Sequence, residues 1–245
     1  EKAIPPGTAF SFVVASDLHL CASKGPRAVA LEGFVQLAKD SGADFVLFGG
    51  DLTSKGLEEE FLLFLAFANS LKTGAASHLG QGESLPWFVA VGNHDLYNSG
   101  WKYFKKLVGP SSDSFAAGSA RLYIIDTGSG SVGEAQLERL GSAFQEDDLP
   151  KIVLSHYPVH GARTSSYFKI TNTRERAELL SMFNTYGVRL LLCGHWHQPE
   201  NVDCGNFAER ITGSLVDTKS DGLAHAALVK VAADGSIASF DSFAF

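Results

Sequence analysis

Cysteine, positive charge and long hydrophobic runs are all scarce in this chain. Its three cysteines, Cys21, Cys193 and Cys204, form no Cys-x-x-Cys pair, and an odd number leaves at least one thiol outside any intramolecular disulfide set. One disulfide plus a free thiol is still open, so cysteine usage does not fix a redox compartment. The 20 lysines and arginines are outnumbered by 27 aspartates and glutamates, giving a net charge of −7 and a pI near 5.6. That balance lacks the basic footprint of a dedicated nucleic-acid binder, although a small phosphate-bearing ligand needs only local positive charge. The longest strongly apolar run, Phe61–Ala68, has eight residues, far short of the ~20 that span a bilayer. No apolar leader follows Glu1. Two locations are therefore expected: the cytoplasm or, after removal of an N-terminal segment, an exported compartment such as the periplasm.

What is present has an ordinary globular profile, with 45% hydrophobic and 19% charged residues over 245 positions. A chain of this length buries a sizeable core without disulfide staples. No repeat and no low-complexity tract appears. Residues 1–9, with two prolines and a glycine, read as a tail, and residues 10–245 as one domain. Nearly continuous apolar runs predict strands over Phe10–Ser16, Ala43–Phe48, Trp87–Val91, Ala120–Asp126, Lys151–Ser155 and Arg189–Cys193. Helical patterns fall between them at Pro26–Asp40, Leu57–Lys72, Gly133–Phe144 and Arg174–Tyr186. This alternation predicts an α/β fold. Past Gly205, short runs at Ala208–Thr212, His225–Val231 and Ser236–Phe243, with turns at Ser220–Gly222 and Asp234–Gly235, predict an antiparallel meander. Thr73–Ser84 and Ser111–Ser119 read as loops.

The chemistry sits immediately after five of the predicted strands. These end in Ser16-Asp17-Leu18-His19, Gly49-Gly50-Asp51, Gly92-Asn93-His94-Asp95, Ser155-His156-Tyr157-Pro158 and Gly194-His195-Trp196-His197. Strand C-termini in an open α/β sheet face one crevice, so the five clusters should converge. They gather oxygen and imidazole donors without a thiolate, a set that suits manganese, iron, cobalt or zinc. Asp17, His19, Asp51, Asn93, His156, His195 and His197 are more ligands than one ion needs. They suggest two ions sharing a carboxylate. Ions roughly 3.5–4 Å apart can activate a water and clamp a phosphoryl group for in-line displacement. Glycines before Asp51, Asn93 and His195 would let the backbone turn sharply and approach closely.

In this order, from about Phe12 to His197, the five clusters resemble the calcineurin-like metallophosphoesterase superfamily. Gly50-Asp51-Leu52-Thr53-Ser54-Lys55-Gly56 more loosely resembles the subset with cyclic-nucleotide phosphodiesterases and related bacterial hydrolases. The superfamily resemblance implies a four-layer sandwich of two mixed β-sheets flanked by helices, with the final meander completing the second sheet. It implies that Asp17, His19, Asp51 and His197 hold one metal, that Asp51, Asn93, His156 and His195 hold the other, and that Asp51 bridges. His94 would face the substrate, protonating the leaving oxygen or stabilising charge on the phosphoryl group. The implied activity is hydrolysis of a phosphomonoester or phosphodiester by a hydroxide held between the metals. Its substrate would be a small phosphate ester, with nucleotides and pyrophosphate-linked conjugates among the candidates.

Two other readings compete: a catalytically inactive metal-binding scaffold of the same fold, and a redox or oxygen-activating metalloprotein. The complete ligand set and His94 argue against both. Around the clusters, Asp95 reads as structural, His160 as surface or outer-shell, and His78 and His225 as unrelated to the site. Cys21 reads as a buried filler. Arg163, Lys169 and Arg174 read as solvated charge with a lesser prospect of meeting a phosphate, and Tyr97 and Tyr167 as pocket-wall candidates. The Leu57–Lys72 helix is apolar on more than one face, with Leu63 and Phe67 off the Phe61–Leu65–Ala68 stripe. Core packing on both sides is expected, with a dimer surface as the alternative.

Overall fold

The computed structural model describes residues 4–23, 25–161, 163, 166–216 and 221–245. The first elements are β1 (Phe10–Ala15), α1 (Ala28–Asp40), β2 (Phe45–Phe48), α2 (Glu58–Ser70), β3 (Trp87–Val89) and the short α3 (Trp101–Tyr103). The chain continues through β4 (Asp113–Ala117), β5 (Ala120–Ile124), α4 (Glu134–Glu146), β6 (Lys151–Leu154), α5 (Thr173–Thr185) and β7 (Val188–Cys193). It closes with β8 (Pro199–Asp203), β9 (Ala208–Thr212), β10 (His225–Val231) and β11 (Ile237–Ala244). Two mixed sheets result. One runs β11-β10-β1-β2-β3 and the other β4-β5-β6-β7-β9-β8.

The continuous apolar runs have a direct physical cause, because the central strands are covered on both faces. Successive side chains of a strand point to opposite sides. Phe12 and Val14 of β1, with Phe45 and Leu47 of β2, therefore meet Leu122, Ile124, Ile152, Leu154, Leu190 and Leu192 of the other sheet. Their neighbours Val13, Ala15, Val46 and Phe48 turn outward onto Phe34 and Ala38 of α1 and Phe61, Phe64 and Ala68 of α2. On the far side, Val153, Leu191 and Cys193 pack on Leu137, Leu140 and Phe144 of α4 and Leu179 and Phe183 of α5. The layers are thus helices, sheet, sheet, helices. Parallel pairing of β1 with β2 and β2 with β3, and of β5, β6 and β7 in turn, aligns the C-terminal strand ends within each sheet.

Several local expectations are corrected. The final strands are not one meander and do not complete the second sheet together: β9 lies parallel beside β7, whereas β10 and β11 form a hairpin that joins β1. Strand runs alone cannot say which sheet a strand enters. Ser111–Ser119 is not a loop, since β4 pairs with β5 there through the turn at Gly118 (φ 53°). Its sequence, Asp-Ser-Phe-Ala-Ala, is a poor strand former, but it is an edge strand with an exposed face. β8, with Pro199 and two acids, was missed for the same reason and is the other edge. A helical segment over residues 94–108 was missed too. The predicted Ser220–Gly222 turn falls partly outside the described residues.

Helix α2 is packed on one side only. Phe61, Phe64 and Ala68 are buried, and Phe67 reaches Phe34 and Phe48, but Leu62 and Leu63 are exposed. Phe64 is fully buried, edge-on to Phe48 and Trp87 at 5.2 and 5.4 Å. Urea unfolding should therefore show that Phe64→Ala costs about 3–5 kcal/mol, whereas Leu63→Ser, at a solvated position, changes stability by no more than ~0.5 kcal/mol.

Candidate metal centre

The loops after β1, β2, β3, β6 and β7 meet at one end of the sandwich. Asp17, His19, Asp51 and Asn93 come from the first sheet's loops, and His156, His195 and His197 from the second's. All seven predicted ligands are in this cleft. Asp17, His19, Asp51 and His197 place one donor atom each within 4.8 Å of one another, and so do Asp51, His156 and His195. Asp51 belongs to both groups. Its Oδ2 lies 3.7 Å from His19 Nε2 and 3.5 Å from His156 Nε2. Asp17 Oδ1 lies 3.2 Å from His197 Nε2, and the Nε2 atoms of His19 and His197 are 3.1 Å apart. Asn93 Oδ1 lies 3.1 Å from His156 Nε2, beside the second group.

The backbone is bent hard to achieve this. Asp17, His19, Asp51, His195 and His197 all have positive φ, between 45° and 64°. Non-glycine residues in that region are strained and collect at functional sites. The period-two spacing of Asp17 with His19 and of His195 with His197 brings each pair together, but through left-handed loops rather than extended chain. Two glycines admit the close approach. A Cβ on Gly92 would strike the Asp51 backbone, and one on Gly194 would strike Ser16 Oγ.

Hydrogen bonds fix how the donors face. His156 Nδ1 lies 2.8 Å from the Gly49 carbonyl, which sets Nδ1 as the donor and turns Nε2 to the centre. His94 is held likewise, with Nδ1 2.8 Å from the Ser54 carbonyl and its backbone N–H donating to Asp51 Oδ1 at 2.7 Å. Asp95 is the hub behind them. Fully buried, it accepts from Thr53 N and Thr53 Oγ1 at 3.0 and 2.9 Å and from Gly92 N at 3.0 Å. It is structural, as expected, and ties the Asp51 loop to the Asn93 loop. Glu209, fully buried on β9, does the same for the chain beyond His156, accepting from the N–H groups of Val159, His160 and Gly161. Sequence reasoning missed it, because nothing in the β9 run separates this acid from an ordinary strand residue.

The electrostatics are those of a site lacking cations of its own. Burial alone would raise Asp17 and Asp51. The histidines overcome it, His197 chiefly for Asp17 and His156 for Asp51, and hold both carboxyls below the usual range. Burial also works against a charged His156, but Asp51 outweighs it and raises the imidazole to about 9. Burial pushes His19 down to about 4, and burial with His156 pushes His195 to about 4, so both are neutral with lone pairs available. His195 Nε2 is buried without a hydrogen-bond partner. Two ionised carboxylates, neutral imidazoles and an orphaned buried nitrogen fit divalent cations.

Among the other candidates, Tyr97 stands against His94 and the rest lie further out. His78 pairs with Asp44 at 3.0 Å and His225 with Asp221 at 2.9 Å. His160 and Arg163 are exposed, and Arg174 bonds Glu178 at 2.8 Å on the far helix. Cys21 and Lys169 are half-buried. Tyr167 stands 75% exposed near Phe168, which packs on His195, and Tyr97 leans on His94.

Fold and site together define a two-sheet α/β protein whose loops assemble two groups of candidate metal ligands that share Asp51. Residues 10–199 match the family model for calcineurin-like phosphoesterase, and the chain belongs to that family. Solved structures share the fold at low identity. A dimetal phosphatase from Danio rerio superposes with a TM-score of 0.69 at 13% identity, covering 96% of this chain and 98% of that one. GAP50 of Plasmodium, the anchor in the inner membrane complex, gives 0.67 at 14% identity, covering 97% and 89%. Purple acid phosphatase from yellow lupin (Lupinus luteus) gives 0.67 at 15%, covering 98% of this chain and 54% of that one. No curated protein matches the chain in sequence.

Members of this family bind divalent metals, and loading should be visible in stability. Mn²⁺ or Zn²⁺ at a hundredfold excess over its dissociation constant should stabilise the fold by about 2.7 kcal/mol per site, reversed by chelator. In thermal unfolding, Asp51→Ala should lose that response even where removing a buried charge makes the metal-free protein more stable.

Proposed function

We propose that this chain is a phosphoesterase that hydrolyses phosphomonoester or phosphodiester bonds at a dinuclear metal site. The observation that carries this is the pair of ligand groups sharing Asp51, with His94 bonded through its backbone to that same carboxylate. Asp17, His19, Asp51 and His197 would hold one ion, and Asp51, Asn93, His156 and His195 the other. The oxygen and imidazole donors suit manganese, iron, zinc or cobalt. Bound there, the ions supply an activated water and the positive charge that orients a phosphoryl group for in-line displacement.

The protein's own contribution is placement and proton transfer. His94 donates through Nδ1 to the Ser54 carbonyl, so Nε2 is its working atom and the one that would pass a proton to the leaving oxygen. Beside it opens a cavity of about 540 Å³ bordered by His19, Ser54, His94, His197, Arg27 and Val216. That volume is in the range of small-molecule sites and lies where a leaving alcohol protonated by His94 would sit. A small phosphate ester, nucleotides included, fits it.

The test is turnover of p-nitrophenyl phosphate, bis-p-nitrophenyl phosphate and cyclic AMP, with added Mn²⁺ or chelator, and metal content measured on the same sample. Chelator-sensitive hydrolysis is expected. His94→Ala should lower kcat by about 10²–10⁴-fold with the metals retained. A protein that binds metal and turns over none of these substrates would be a scaffold of the same fold instead.

A further inference from the structure

Among the described residues, seven non-glycine positions have positive φ, and the two that are not candidate ligands are Asn98 (φ 50°) and Ser99 (φ 62°), just past His94. Such backbone persists only where its surroundings over-determine it. Here they do. Asn98 Nδ2 donates to the Lys55 carbonyl at 2.9 Å, and the Gly100 N–H donates to the Tyr97 carbonyl at 2.7 Å. A Cβ on Gly56 would collide with the Tyr97 carbonyl oxygen, and one on Gly100 with that of Asp95. The segment is locked between Leu96 and Phe104, which pack on the core. The residue it presents, Tyr97, is 47% exposed.

Tyr97 is presented to the centre. Its ring lies 4.7 Å from the His94 ring, tilted by 45°, and the Asn93 amide donates to its hydroxyl over 3.4 Å. Asn93 Oδ1 is meanwhile turned to His156 Nε2. The phenol oxygen therefore accepts one bond and keeps its own proton for an acceptor outside the protein. Asn93, a candidate ligand, and His94, the candidate proton donor, flank that proton.

The geometry points to Tyr97 as a substrate-binding residue whose hydroxyl donates a hydrogen bond to a phosphoryl oxygen. This rests on the phosphoesterase reading above. A phenol offers one donor of fixed reach where a guanidinium offers several, so it reads the position of a single oxygen rather than the charge of the group.

Tyr97→Phe tests this, because it keeps the ring against His94 and removes only the hydroxyl. At saturating metal, kcat/KM on whichever of the three substrates the wild type hydrolyses should fall roughly ten- to a hundredfold, the range for a hydrogen bond to a charged acceptor. Inorganic phosphate, titrated calorimetrically into the metal-loaded protein, should bind more weakly by a similar factor. Metal content and Tm should be unchanged. Wild-type kinetics and phosphate affinity in Tyr97→Phe would overturn the assignment. So would loss of metal, which would reduce the hydroxyl to a support for Asn93. If the wild type binds phosphate without hydrolysing any ester, the phosphoesterase reading fails and phosphate affinity alone decides for Tyr97. A wild type that does neither overturns both.

Discussion

Two carboxylates buried among imidazoles govern this molecule. Asp17 and Asp51 are at most 1% exposed, and among the described residues neither forms an ion pair with a lysine or arginine. An isolated buried charge is costly, and unpaired acids normally respond by taking up a proton. These do the reverse, because His197 beside Asp17 and His156 beside Asp51 favour the ionised carboxylates. The imidazoles are the protein's own provisional counterions. Cations of higher charge are stronger partners for carboxylates, and members of this family bind divalent metals.

The surrounding architecture holds these donors in place. Left-handed ligand residues, glycines without room for a side chain and the buried acids Asp95 and Glu209 all spend stability to fix donor directions. The apolar layers on both sides of each sheet provide that stability. Rigid strands bring the donors close, and short loops aim them. Solved structures at 13–15% identity share this fold. Apolar volume and pattern suffice to specify the layers.

The two-sheet α/β class and the convergence of the five clusters were both legible in the sequence. Asp17, His19, Asp51, Asn93, His156, His195 and His197 each follow an apolar run, and the strand ends carry them into one cleft. The central strands were equally plain, being covered on both faces. What escaped has physical causes. β4 and β8 are edge strands whose sequences need satisfy only one neighbour. The split of β9 from the β10–β11 hairpin is a long-range choice that no local pattern records. Glu209 acts through backbone contacts made 48–50 residues away, and residues 94–108 form short helical turns of differing pitch, broken at Tyr97 and Asn98, that share no single period. The exposed flank of α2 looked apolar enough for a core, yet Leu62 and Leu63 face water.

The contact between donors carried by the first sheet and donors carried by the second joins positions far apart in the chain. His19 and His197 touch across a separation of 178 residues, and β1, which leads into Asp17, is enclosed on one side by β10. A growing polypeptide therefore cannot assemble the complete cluster until nearly the whole sandwich has been synthesised. Until then Asp17 and Asp51 remain hydrated, at no electrostatic cost. They lose that water only when the two sheets have come together around the cleft. Non-local closure of this kind is slow, and only when it is complete do the candidate ligands stand together.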